Sequence, residues 1–150
     1  MLRLGRSRDG RLALGALTER FDTAQVLREV DRAYRMGDLS PGCDSVIAYD
    51  PGVVLGHVSV SDLLAIRDCV CRHEGSWHAG PPYRGIIVAA EREAQIVSNV
   101  YAATWHATGM PPPDHRVVAT LEEAELLLGC DAVGDEIAAL RPVPLVRYLA

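Results

Sequence analysis

The chain has 150 residues, enough for one domain that buries roughly two-thirds of the surface of its unfolded form. Fifteen basic against twenty acidic residues give a formal net charge of −5 with no basic stripe, which argues against nucleic acid as a partner. All fifteen basic residues are Arg, so Schiff-base and P-loop lysine chemistry is excluded.

Cys43, Cys69, Cys71 and Cys130 do not make a disulfide framework in a chain long enough to build a core. Met1 to Arg6 lacks the apolar run of a signal peptide. No segment approaches the ~20 apolar residues that span a bilayer. The expectation is a cytoplasmic protein with no membrane span.

In chain order, Leu2 and Leu4 alternate with polar neighbours, and Asp9-Gly10 precedes a second apolar run, Leu12 to Leu17. Both turn residues tolerate positive φ, so the pattern predicts an antiparallel hairpin. Asp22 followed by Gln25 predicts a capped helix start. Val26, Leu27, Val30, Ala33 and Tyr34 share the inner face, while Arg28, Glu29, Asp31, Arg32 and Arg35 are expected to face away. The helix should end near Met36-Gly37.

Val46-Ile47-Ala48, bracketed by Asp44 and Asp50, reads as a buried central strand. Ser59 with Asp62 predicts a capping box, and the helix beyond it carries Leu63, Ile66 and Val70 inward. The Gly- and Pro-rich stretch 76–83 reads as a loop. Gly85 to Ala90 suits a strand covered on both faces. A long helix is expected from about Arg92 to Thr108, stopped by Gly109 and Pro111 to Pro113. His115 to Thr120 is a short last strand, and Thr120 with Glu123 opens a short helix that closes at Gly129. Residues 131–150 read as an extension with a helical turn at Glu136 to Leu140. The apolar end, Leu145 to Leu149, is expected to dock on the domain or on a partner subunit, with a homodimer as one outcome.

Three pieces together carry a family resemblance: Asp9 to Leu17 as the opening hairpin, Val46 to Asp50 followed by Ser59 to Ile66, and the ending Val117 to Leu128. Their order resembles the STAS/SEC14-like bacterial proteins related to the anti-sigma-factor antagonists. The resemblance implies an α/β fold: a single STAS-like domain over residues 1–130, its mixed sheet opened by a β-hairpin and packed with helices. It also implies a phosphorylated serine at the start of the helix after the central strand, a position matched here by Ser61. Val60 and Asp62 depart from the family's Asp-Ser-Ser-Gly-Leu run, and Asp62 would repel a neighbouring phosphate.

The residues themselves offer four candidate sites. Ser59 and Ser61 form a phosphorylation candidate, against the plain reading of a helix cap and an ordinary first-turn residue. Trp77, His78, Tyr83, Trp105 and His106 gather most large aromatics around one loop and one helix end, a pattern that can line a pocket for a flat or apolar ligand. Cys69 and His73 share a helical face, but Cys71 points away and no second Cys-x-x-Cys exists, so no metal is expected. Asp50, His57 and Ser59 allow a Ser/His/Asp arrangement to be written down, without the nucleophile-elbow glycines. The expectation is a non-enzymatic regulatory or interaction domain that docks a protein partner, without a cofactor. Its alternative is a small-molecule or lipid-binding module that takes a small apolar ligand in the aromatic-lined pocket.

Overall fold

The computed structural model describes residues 1–75 and 83–140, which run β1 (Leu2–Arg6), β2 (Leu12–Leu17), α1 (Thr23–Met36), β3 (Asp44–Tyr49), α2 (Val60–Glu74), β4 (Arg84–Val88), α3 (Arg92–Thr104), β5 (Asp114–Val118), α4 (Leu121–Leu128) and α5 (Val133–Leu140). The five strands lie in the order β1-β2-β3-β4-β5. β1 pairs antiparallel with β2 through the Asp9-Gly10 turn, where Gly10 takes a φ of 73°. β2 to β5 are mutually parallel. The fold is therefore α/β, with a mixed sheet opened by a hairpin.

Each parallel connection steps one strand further in the same direction. Right-handed crossovers then place α1, α2 and α3 on one face of the sheet. α4 and α5 return across the other, where α5 packs on β2 and β1 and α4 on β4 and β5. Two apolar cores result. The three-helix core gathers residues such as Leu4, Val30, Ile66, Ile87 and Ala94. The second is built from Leu14, Val46, Ile86, Ala124, Val133 and Ile137.

Local signals explain most boundaries. Asp22 caps α1 by accepting from the Gln25 N–H at 3.1 Å, and Gly37, at φ 81°, closes it. Ser59 and Asp62 form the reciprocal capping box of α2. Thr120 caps α4, and Gly129 ends it in the left-handed region. α3 stops at Thr104, short of the expected Thr108, because the chain tightens into a 3₁₀ turn, Trp105–Ala107, that buries the Trp105 ring. The helical turn expected near Glu136 is the longer α5, whose Val133 and Ile137 are fully enclosed. The apolar end Leu145 to Leu149 lies outside the described residues.

One expectation about α1 is corrected. Glu29 and Arg32 do not face away; with Gln25 they cover the outer edge of β1. Gln25 accepts from the Leu2 N–H and donates to the Leu2 carbonyl, both at 2.7 Å. Glu29 accepts from the Leu4 N–H at 2.8 Å, and Arg32 donates to the Leu4 carbonyl at 2.9 Å. An open strand edge invites another chain to pair, and these side chains occupy the groups it would use. Asp31 is also engaged, against α2. No helix among the described residues is long and apolar enough to cross a membrane.

Candidate functional site

Side chains of paired residues in neighbouring parallel strands point to the same face, so the sheet can be read in rows. One row on the three-helix face is Ala13, Ser45, Gly85 and His115. Two of these small residues, Ser45 and Gly85, border an open space beneath the helices. The space is an apolar cavity of about 170 Å³ between the sheet and α1, α2 and α3. Phe21, Val30, Ile47 and Ile66 contribute to its apolar wall. Tyr34, Glu74, Tyr83, Tyr101, Trp105 and His115 give it a polar side. Ser45, Gly85 and His115 are each the second residue of their strand, so much of this polar side lies at the amino-terminal edge of the parallel strands.

Glu74, the last residue of α2, is only 5% exposed. Its carboxylate accepts from the Tyr34 hydroxyl at 2.5 Å and from the Gly42 N–H at 2.8 Å. Burial raises its pKa, and the two hydrogen bonds oppose that rise. Burial also raises the hydroxyls of Tyr34, Tyr83 and Tyr101, which keeps all three neutral at physiological pH. It pushes His115 down to about 4, so this imidazole is neutral as well. The ring of His115 meets Tyr101 edge-on at 5.7 Å and Trp105 at 5.9 Å. Gly85 is what lets the ring lie there: a Cβ at that position would stand 3.1 Å from His115 Cδ2.

Trp105 is 2% exposed, and its indole N–H has no hydrogen-bond partner among the described residues. It leans toward the Tyr101 oxygen, opposing the rise of that hydroxyl, without reaching hydrogen-bonding geometry. Leaving such a donor unsatisfied costs about 1–3 kcal/mol. The site thus combines an apolar volume, several neutral hydroxyl and ring groups, and one donor in need of an acceptor.

Tyr83 and Trp105 both lie on the cavity wall. His106, next to Trp105, points to solvent. Trp77 and His78 lie outside the described residues. Sequence reasoning passed over Tyr34, Glu74, Tyr101 and His115 as site residues. Tyr34 is legible as an inward-facing position, whereas nothing local marks Glu74 or His115.

The serine pair occupies the opposite end of the molecule, beyond the carboxyl end of β3. Ser59 is a cap: its oxygen accepts from the Asp62 N–H at 3.1 Å, while Asp62 Oδ2 accepts from the Ser59 N–H at 2.8 Å and hydroxyl at 2.9 Å. The bond from the Ser59 backbone, with help from its hydroxyl, lowers the Asp62 pKa and keeps it ionised. Ser61 stands in the first turn of α2 with its side chain exposed, beside Val60, which is 58% exposed. His57 pairs with the Phe21 carbonyl, so the Ser/His/Asp arrangement that could be written from sequence has its His and Ser bonded to other groups. No protein-family model, no curated protein and no solved structure matches this chain.

Proposed function

We propose that this domain binds a small, largely apolar ligand, about the size of a single ring and carrying one hydrogen-bond acceptor, in the cavity beneath α1, α2 and α3. The observation that carries the reading is the orphaned Trp105 N–H on the wall of a cavity of about 170 Å³. Packed interiors hold few voids larger than a water molecule. An engineered apolar cavity of about 150 Å³ accommodates benzene, which sets the scale of the occupant. The void and the unmet donor both disfavour the empty state, and one ligand relieves both. The neutral Tyr83, Tyr101 and His115 suit an uncharged polar end better than a second carboxylate beside Glu74.

Native mass spectrometry of the purified protein should show a retained small molecule. Thermal shift with acetophenone and toluene then separates the acceptor from the ring. Acetophenone should raise Tm more than toluene, and Trp105→Phe should remove the difference while toluene still binds. A protein that retains nothing and responds to neither compound would refute the reading.

A second reading, a regulatory domain that docks a protein partner with Ser61 as its control point, is supported by the exposure of Ser61 next to Val60. The STAS-like relationship belongs with this reading. Its support is the order of elements: a hairpin, then alternating helix and strand, with a capped helix after the central strand. A phosphate on Ser61 would add about −2 charge at the helix N-terminus, which favours it, beside the ionised Asp62, which does not. Ser61→Asp should abolish capture of any partner that the unmodified protein recovers; identical partners for both forms would remove this reading.

A further inference from the structure

Beside the cavity but outside its lining, three unlike side chains from two helices converge. Cys69 and His73 are one turn apart on α2, and Asp31 reaches them from α1. Asp31 Oδ1 accepts from the Cys69 thiol at 3.4 Å and from His73 Nε2 at 2.7 Å. One sulfur, one nitrogen and one oxygen, one from each residue, all lie within 4.8 Å of one another. The His73 ring is held in place by Tyr34, stacked on it at 4.3 Å with planes 8° apart. Tyr34 is fixed in turn by its hydrogen bond to Glu74.

We propose that Asp31, Cys69 and His73 form a three-ligand site for a divalent transition metal, zinc by chemistry, that clamps α1 to α2. A zinc ion about 2.0–2.3 Å from each ligand atom places those atoms about 3.4–3.6 Å apart in a tetrahedron. Asp31 and Cys69, at 3.4 Å, already have that spacing, while Asp31 and His73, at 2.7 Å, would open to admit the ion. The donor set of thiolate, imidazole and carboxylate is of mixed softness, which suits zinc over calcium or magnesium. The Asp31 carboxylate and the Cys69 thiolate would together balance the ion's two positive charges. Binding releases the thiol proton of Cys69 to solvent as the Zn–S bond forms, and the imidazole coordinates through Nε2 as its neutral form.

The ion has a route to the site. Cys69 is wholly buried, but the Asp31 side chain is 48% exposed and that of His73 28% exposed. The fourth tetrahedral position therefore faces outward and would hold water. Burial, with the Asp31 carboxylate adding to it, pushes the Cys69 thiol up to about 11, so without metal the trio rests as a hydrogen-bonded cluster.

Cobalt(II) titration of the full chain tests this. One equivalent should give tetrahedral d–d absorption and a thiolate-to-cobalt charge-transfer band, both displaced by zinc. Cys69→Ser should remove the charge-transfer band. Asp31→Ala and His73→Ala should each weaken binding by about 100-fold or more, since loss of even an outer-shell partner costs 10- to 100-fold. Asp31 is half exposed, so Asp31→Ala is expected to keep the fold, with circular dichroism as the check. Failure to bind one equivalent, or binding that survives either Cys69→Ser or Asp31→Ala, would overturn the proposal.

Discussion

The two faces of one sheet have been filled in opposite ways. Toward α4 and α5, the rows read Leu14, Val46, Ile86 and then Ala16, Ala48, Val88. Ala124, Val133 and Ile137, all essentially without exposure, close that core from above. Toward α1, α2 and α3, the row Ala13, Ser45, Gly85 carries almost no side-chain volume until it reaches His115. Backbone spacing is common to both faces, so topology does not create the hollow. Side-chain size at the paired positions Ser45 and Gly85 does. A parallel strand under helices ordinarily carries Val, Ile or Leu at such places, and their absence here leaves room for a guest.

The sharpest way to break this contrast is to remove one wall from each side. Ile137→Ala opens a void around a fully enclosed side chain and should cost about 3–5 kcal/mol, the upper part of the range for such truncations. Ile47→Ala removes a side chain that already borders empty space and loses fewer packing contacts, so about 2 kcal/mol is expected. Urea unfolding of both variants measures the difference. Equal losses would mean that the two cores are packed alike.

The next effect is a pH dependence that belongs to the hollow side alone. His115 titrates near 4 when folded and near 6.5 when unfolded. Between those values the unfolded chain binds the proton and the native state refuses it. Stability is therefore full above about pH 6.5 and declines as pH falls toward 4, by up to about 3 kcal/mol. Glu74 runs the other way. Its raised pKa means that ionisation disfavours the fold, so its contribution weakens stability as pH rises through and above the ordinary carboxyl range. Stability measured from about pH 6.5 to about pH 5 should fall more steeply for the native sequence than for His115→Phe, in which the opposing contribution of Glu74 remains. Parallel slopes for the two would place the His115 ring in solvent.

How much of this could be read from sequence follows from how local each signal is. The Asp9-Gly10 turn, the Asp22, Ser59 and Thr120 caps and the Gly37 and Gly129 stops each lie within four residues of what they control, and all are found where expected. The orientation of α1 was only half legible. Its apolar face could be counted off, but Glu29 and Arg32 are turned toward β1 by carbonyl and amide groups more than twenty residues earlier. The cavity is less local still, since it depends on the register that sets Ala13, Ser45, Gly85 and His115 side by side. No window of sequence contains that row. Cys69 and His73 were visible as a helical pair, while Asp31, which completes the trio, sits on another helix.

The smallest expected effect is the most direct test of whether the hollow is a packing defect or a site. Ser45→Val adds one methyl group to the middle of the small row and replaces a hydroxyl, in a strand where a β-branched residue is favoured. Filling a void commonly adds about 0.5–2 kcal/mol, and the lower half of that range fits a single methyl. The fold should therefore become slightly more stable in urea while its affinity for acetophenone falls. Both signs matter together. A gain in stability with unchanged ligand affinity would mean that the guest does not use this row. A loss of stability would mean that the space beside Ser45 is already occupied, and the contrast between the two faces would narrow to the neighbourhood of Trp105.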